Sequence, residues 1–187
     1  MEGLKYIKSF LFALVLTAAF VGFTSDDGFA QEDQNRRKSP VGIAQTEMAD
    51  TYLKVTYGRP FMKGREIFGS LVPFSEVWRT GANEATEITA TKPVKFGDET
   101  LPAGTYSLFT IPEEGAWTII VNQDLGQWGA YEYSAGLDLF RIEAESTQMD
   151  STVNQFTMEF DKPQNGNTAL NLMWENTHVK IPIGKAD

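Results

Sequence analysis

The chain of 187 residues has no cysteine and a single histidine. Without cysteine there is no disulfide, no thiol nucleophile and no thiolate zinc or iron–sulfur site. One histidine excludes a metal site built from several imidazoles of the same chain. Basic residues are scarce: 16 Lys and Arg stand against 25 Asp and Glu, a net charge of −9. That balance argues against nucleic acid as a partner. The phosphate-cradling patterns GxGxxG and GxxxxGK[ST] are missing, as are the GxSxG nucleophile elbow and the Asp-rich calcium loop. No cofactor and no intrinsic metal are therefore expected. What is present, 42% hydrophobic and 12% aromatic residues, fits one folded domain of ordinary size.

The first thirty residues read as an address. Lys5 and Lys8 precede an uncharged apolar run, Phe10 to Phe23, and small residues follow at Gly28 and Ala30. This is the layout of a secretory signal peptide cut after Ala30. Fourteen apolar residues at ~1.5 Å each span roughly 21 Å, short of a ~30 Å bilayer core. A stable membrane anchor after cleavage is not expected, and the location is periplasmic or extracellular. Residues 31–187 carry 14 basic and 22 acidic groups, net −8. Residues 31–40, QEDQNRRKSP, are polar throughout and read as a flexible arm. Residues 41–187 form a single β-rich domain.

From about residue 50 the apolar residues alternate with period two. Leu53, Val55 and Tyr57 are one such set; Ile88 and Ala90 another; Trp117, Ile119 and Val121 a third. Phe140, Ile142 and Ala144 follow, then Phe156, Met158 and Phe160, then Leu170, Leu172 and Trp174, then Val179, Ile181 and Ile183. Between them lie turn signals at Gly97-Asp98, Pro102-Ala103-Gly104, Glu113-Glu114-Gly115 and Asn165-Gly166. Half-buried antiparallel strands follow from this pattern. The fold class is all-β, an antiparallel β-sandwich, with a partly open β-barrel as the alternative. Two stretches break the rhythm: 58–85, with one helical turn expected at Ser75–Arg79, and 122–139. Long irregular loops in a small domain tend to carry function.

Several strings stand out together: YGRP at 57–60, KGR at 63–65, LVP at 71–73, WRTGANEAT at 78–86, LPAGTYSLFTIP at 101–112, WTII at 117–120 and QWGAY at 127–131. In combination they resemble the exported bacterial proteins grouped as domain of unknown function 2911. The resemblance runs from about Ser39 to the C-terminus and is densest over 57–131. It implies an exported, strand-rich protein and carries no activity, cofactor or catalytic residue with it. Phe68 stands where Trp is common in that family, and Ser-Pro-Val stands where some members have Ser-Pro-His.

After residue 40 there are four arginines, and Arg59, Arg65 and Arg79 all fall in the first irregular stretch, with Lys63 beside them. Arginine holds carboxylate or phosphate through a planar fork, so converging side chains would make an anion pocket. The alternative is that each pairs with Glu66, Glu76 or Glu84 and braces the loop. Asn83 and Glu84 sit at a loop-to-strand junction, where Glu84 is a weak candidate for a general base. A glycosidase would need a second carboxylate, with Asp124, Glu132 or Asp138 as candidates. Trp117 and Trp174 lie on apolar strand faces and read as core, whereas Trp78, Trp128 and Tyr131 lie in the loops and offer stacking surfaces. The favoured reading is a binding module for a small anionic or carbohydrate ligand such as an acidic sugar or envelope fragment. Its ligand residues would be Arg59, Lys63, Arg65, Trp78, Arg79, Asn83, Glu84, Trp128 and Tyr131. The alternatives are a hydrolase using Glu84 and a structural envelope interaction protein. No protein partner is indicated.

Overall fold

Alternating burial organises the chain into antiparallel strands, seen in a computed structural model that describes residues 39–186. The expected signal peptide and residues 31–38 of the arm lie outside the described residues. The strands are β1 (Val41–Met48), β2 (Thr51–Gly58), β3 (Thr86–Ala90), β4 (Val94–Phe96), β5 (Glu99–Leu101), β6 (Gly104–Ile111), β7 (Ala116–Asn122), β8 (Asp138–Phe160) and β9 (Asn167–Lys185). They form one sheet in the order β1-β2-β3-β6-β7-β8-β9-β4-β5. It has edges at β1 and β5 and so does not close into a barrel. The long strands β8 and β9 let the sheet fold over on itself. The first part of β8 pairs with β7, and its last part pairs with β9.

The two halves share one core. Leu53, Val55, Ile88, Leu108 and Ile119 face Phe96, Phe156, Leu172, Trp174 and Ile181, all almost wholly buried. Tyr57 links the halves by polar contacts: its hydroxyl donates to the Met158 carbonyl at 3.2 Å and accepts the Met158 N–H at 2.8 Å. Burial pushes the Tyr57 phenol above its ordinary pKa. The periodic sets expected from the sequence fall in β2, β3, β7, β8 and β9, and the expected turns join β4 to β5, β5 to β6, β6 to β7 and β8 to β9. Asn165 and Gly166 both take positive φ, 52° and 77°, as a tight hairpin turn requires.

Three features depart from simple alternation. In β1 the apolar Val41 and Ile43 face outward, while the small Gly42 and Ala44 face in. A Cβ on Gly42 would lie 2.4 Å from the Arg59 side chain. In β9 the apolar phase switches from even to odd positions at Glu175, whose φ of 56° lets the strand slip register against β8. In β6 and β7, Phe109 and Ile120 point away from the main core yet are buried, in a second cluster with Ala85, Val77, Ala130 and Tyr133. The two irregular stretches thus cover the outer face of the sheet. The helical turn expected at Ser75–Arg79 is absent. Ser75 has φ 61°, and Trp78 pairs as an isolated bridge with Thr110.

The loop lies tightly against the sheet at Gly58, where a Cβ would lie 1.9 Å from the Ala82 carbonyl oxygen. Gly58→Ala is therefore expected to lower stability by about 3 kcal/mol through overpacking. Urea denaturation of the variant beside the parent checks it. An unchanged midpoint would show that the 82 segment can move off the sheet.

Candidate functional site

The segment WRTGANEAT folds as a tight excursion from Trp78 to Thr86. Trp78 exchanges both main-chain bonds with Thr110, at 2.7 and 2.9 Å, and its indole N–H donates to the Gly81 carbonyl at 3.1 Å. The excursion closes where the Thr86 N–H reaches the Arg79 carbonyl at 3.1 Å and the Thr86 hydroxyl reaches the Thr80 carbonyl at 2.7 Å. Thr80 and Asn83 have φ of 54° and 66°. For a β-branched threonine that conformation is an outlier costing about 1–2 kcal/mol. Thr80 holds it in a fully buried position, with its hydroxyl on the Trp78 carbonyl at 3.3 Å and on the Thr110 hydroxyl at 3.2 Å.

The second irregular stretch docks on the first. Ala85 N–H donates to the Gln127 carbonyl and Gly129 N–H to the Asn83 carbonyl, each at 2.9 Å. Tyr131's ring and Arg79's guanidinium both come up against Gly129, at 2.7 and 3.4 Å from where a Cβ would stand.

Beside the excursion lies an open cavity of about 400 Å³. It brings together five of the nine expected residues: Lys63, Arg65, Trp78, Arg79 and Asn83. Ser39, Glu76 and Trp174 line it too, with apolar walls from Pro60, Phe61, Leu71, Val72, Pro73 and Val77. Among the described residues, three cations and one carboxylate thus line it, in a chain of net charge −9. None of the three forms an ion pair with a carboxylate among the described residues. Arg65 holds its own turn, donating to the carbonyls of Met62 at 2.8 Å and Phe61 at 2.7 Å. Arg79 makes no side-chain hydrogen bond to the described residues, and its Nε is buried without a partner there. Asn83 spends its amide on the Ser39 carbonyl at 3.1 Å, tying the start of the domain to the cavity wall.

The other expected residues lie elsewhere. Arg59 does not line the cavity. It donates to the Phe156 carbonyl at 3.3 Å and the Thr157 hydroxyl at 3.1 Å, clamping β2 to β8. Trp78 lines the cavity from within the core rather than as an exposed platform. It is 9% exposed and lies within about 6 Å, centroid to centroid, of Phe68, Trp117, Phe156 and Trp174. Trp128 and Tyr131 are exposed but do not line the cavity. Glu84 lines a separate cavity of about 190 Å³, together with Glu87 and Tyr57. Asp124, Glu132 and Asp138 do not line that cavity. Trp174, buried on β9, also lines the first cavity, which its place on an apolar strand face did not signal. Among the described residues no group of three or more His, Asp or Glu side chains could hold a metal ion.

A polar knot closes the second stretch. The Tyr133 hydroxyl donates to Asp138 at 2.7 Å and accepts from Arg141 at 2.7 Å, and Arg141 Nε reaches Asp138 at 2.8 Å. Burial, then the bond to Asp138, pushes the Tyr133 phenol up to about 12. Between the unfolded phenol's ordinary value, ~10, and that raised value, the folded chain holds a proton that the unfolded chain has lost. This contribution to stability is whole below pH ~10 and is lost as pH rises toward 12. Tyr133→Phe is expected to flatten that alkaline limb of the Tm–pH curve. An identical limb in the variant would place the titration elsewhere, at Tyr57 for instance.

A family model described as a protein of unknown function, DUF2911, matches residues 39–183. No curated protein and no solved structure matches the chain. The match takes in every described strand but for the last two residues of β9, and the chain belongs to this family of unknown function.

Proposed function

We propose that the protein is a binding module for a small anionic ligand, held in the cavity of Lys63, Arg65 and Arg79. One observation carries the reading: three cations without carboxylate ion pairs among the described residues line one cavity with apolar walls. In an acidic protein, cations are readily neutralised by neighbouring carboxylates. Keeping them unpaired around a concavity of this size, within the range of small-molecule sites, favours a negatively charged guest. Acidic sugars, envelope fragments and peptide carboxylates meet that description, and the leader-like first thirty residues put the encounter outside the cytoplasm.

The hydrolase alternative draws less support. Glu84 lines a different and smaller cavity than the cations do. The bracing alternative, in which each arginine holds the loop through a carboxylate, fits Arg59 and part of Arg65 only through backbone and hydroxyl acceptors.

The two roles separate by mutation. Arg79→Ala is expected to keep stability within about 0.5 kcal/mol, as a side chain without polar partners among the described residues should. It is expected to abolish the thermal shift given by a carboxylate or phosphate ligand. Arg59→Ala is expected to lose about 2 kcal/mol through its two charge-assisted bonds while keeping that shift. Thermal-shift titration of the purified chain with uronates, phosphosugars and short peptides checks both. Loss of several kcal/mol in the Arg79 variant would instead make Arg79 a brace.

A further inference from the structure

The anion reading leaves open whether the guest is polar throughout, like a uronate, or an acid with an apolar body. The cavity's inner and outer parts differ in a way that bears on this. Toward the core, Trp174 lines it, and its indole Nε1 is buried with no hydrogen-bond partner among the described residues. Trp174 is only 2% exposed. Arg79 Nε is in the same condition. An unpaired buried donor destabilises a fold, and an acceptor brought in by a ligand relieves that cost. Two residues that line one cavity thus each carry a buried donor without an acceptor among the described residues.

The mouth is the reverse. Phe61 and Leu71 line the cavity and remain 44% and 42% exposed, among the larger apolar side chains left in water. With Pro60 and Val77 they form walls that offer few hydrogen bonds to a ring of hydroxyl groups. Sugar sites satisfy those hydroxyls with planar polar side chains, and of those described here the Asn83 amide already donates to the Ser39 carbonyl and Arg65 to the carbonyls of Met62 and Phe61.

Resting on the anion reading above, we infer that the ligand is an organic acid with an apolar body. Its carboxylate enters first, accepts hydrogen bonds from Arg79 and the Trp174 indole N–H, and leaves its acyl or aryl portion against Phe61 and Leu71. Lys63 and Arg65 attract the acid to the entrance.

Calorimetric titration of the purified chain with phenylacetate, hexanoate, phenylacetamide, glucuronate and inorganic phosphate tests the assignment. Phenylacetate and hexanoate are expected to bind at least about tenfold more tightly than phenylacetamide or glucuronate, a difference of about 1.4 kcal/mol. Trp174→Phe keeps an aromatic ring, though a smaller one, and removes the donor. It is expected to fold as the parent does and to weaken phenylacetate by about tenfold. Leu71→Asn, at an exposed position, is expected to weaken hexanoate by about threefold and serves if the Trp174 variant does not fold. If glucuronate or phosphate binds as tightly as phenylacetate, the apolar-acid assignment is overturned while the anion site stands. If none of the anions binds, both fall. Phenylacetate binding left unchanged by Trp174→Phe would remove the indole from the site.

Discussion

Trp78 is fixed from three sides, and the cavity depends on that fixing. Its main chain exchanges two hydrogen bonds with Thr110 on β6, its indole nitrogen reaches back to Gly81, and its ring lies among Phe68, Trp117, Phe156 and Trp174. A ring buried to this degree contributes about 2–3 kcal/mol by area alone, and edge-to-face neighbours add to it. A residue anchored in this way leaves its successor no freedom of place. Arg79 is therefore set at the cavity by the core rather than by partners of its own. The same anchoring allows Thr80 to hold a left-handed backbone, since its hydroxyl and carbonyl are both bonded. Backbone strain of that kind persists only where the surroundings over-determine it.

The loops are consequently not appendages. Phe109 and Ile120 sit on the outer face of the sheet and would meet water if the loops were peeled away. Covering them ties the position of Ala85 and Ala130, and so of the whole 78–86 excursion and the 126–131 stretch, to hydrophobic burial. Backbone bonds from Ala85 to Gln127 and from Gly129 to Asn83 then fix the two loops to each other. A cavity held by a sheet, a core ring and a second loop is preorganised, which would cut the ordering cost of binding the proposed ligand.

Much of the fold was legible because period-two alternation reports a half-buried sheet directly. Leu53-Val55-Tyr57 and Phe156-Met158-Phe160 read true, with only Phe160 partly exposed. Alternation fails where burial is two-sided or inverted. Ile120 looked outward-facing because nothing local announces a loop folded over it. Strand β1 was unreadable because its inward positions are Gly42 and Ala44 and its apolar Val41 and Ile43 face out. The lining of the candidate cavity was half legible. Basic residues concentrated in an irregular stretch pointed to Lys63, Arg65 and Arg79. Sequence distance could not show that Arg59, one residue beyond the end of β2, would be claimed by β8 almost a hundred positions away. Nor could it show that Trp174, a core residue by every local sign, reaches the cavity.

The contrast between Arg59 and Arg79 carries the functional argument. Both are partly buried arginines of the same loop in an acidic chain, and neither forms an ion pair with a described carboxylate. Arg59 is satisfied nonetheless, by a carbonyl and a hydroxyl whose positions the sheet dictates. Among the described residues Arg79 has no such acceptors, although Glu76 lines the same cavity and the chain holds nine more acidic than basic residues. Removing water from a guanidinium nitrogen without replacing its acceptor has a cost, and a brace would be selected to avoid it. The same cavity is lined by a second residue with a buried donor unpartnered among the described residues, Trp174 through its indole nitrogen. Trp78 and Thr80 fix the backbone on either side of Arg79, and on the reading proposed above the acceptor that its Nε lacks among the described residues is the ligand's.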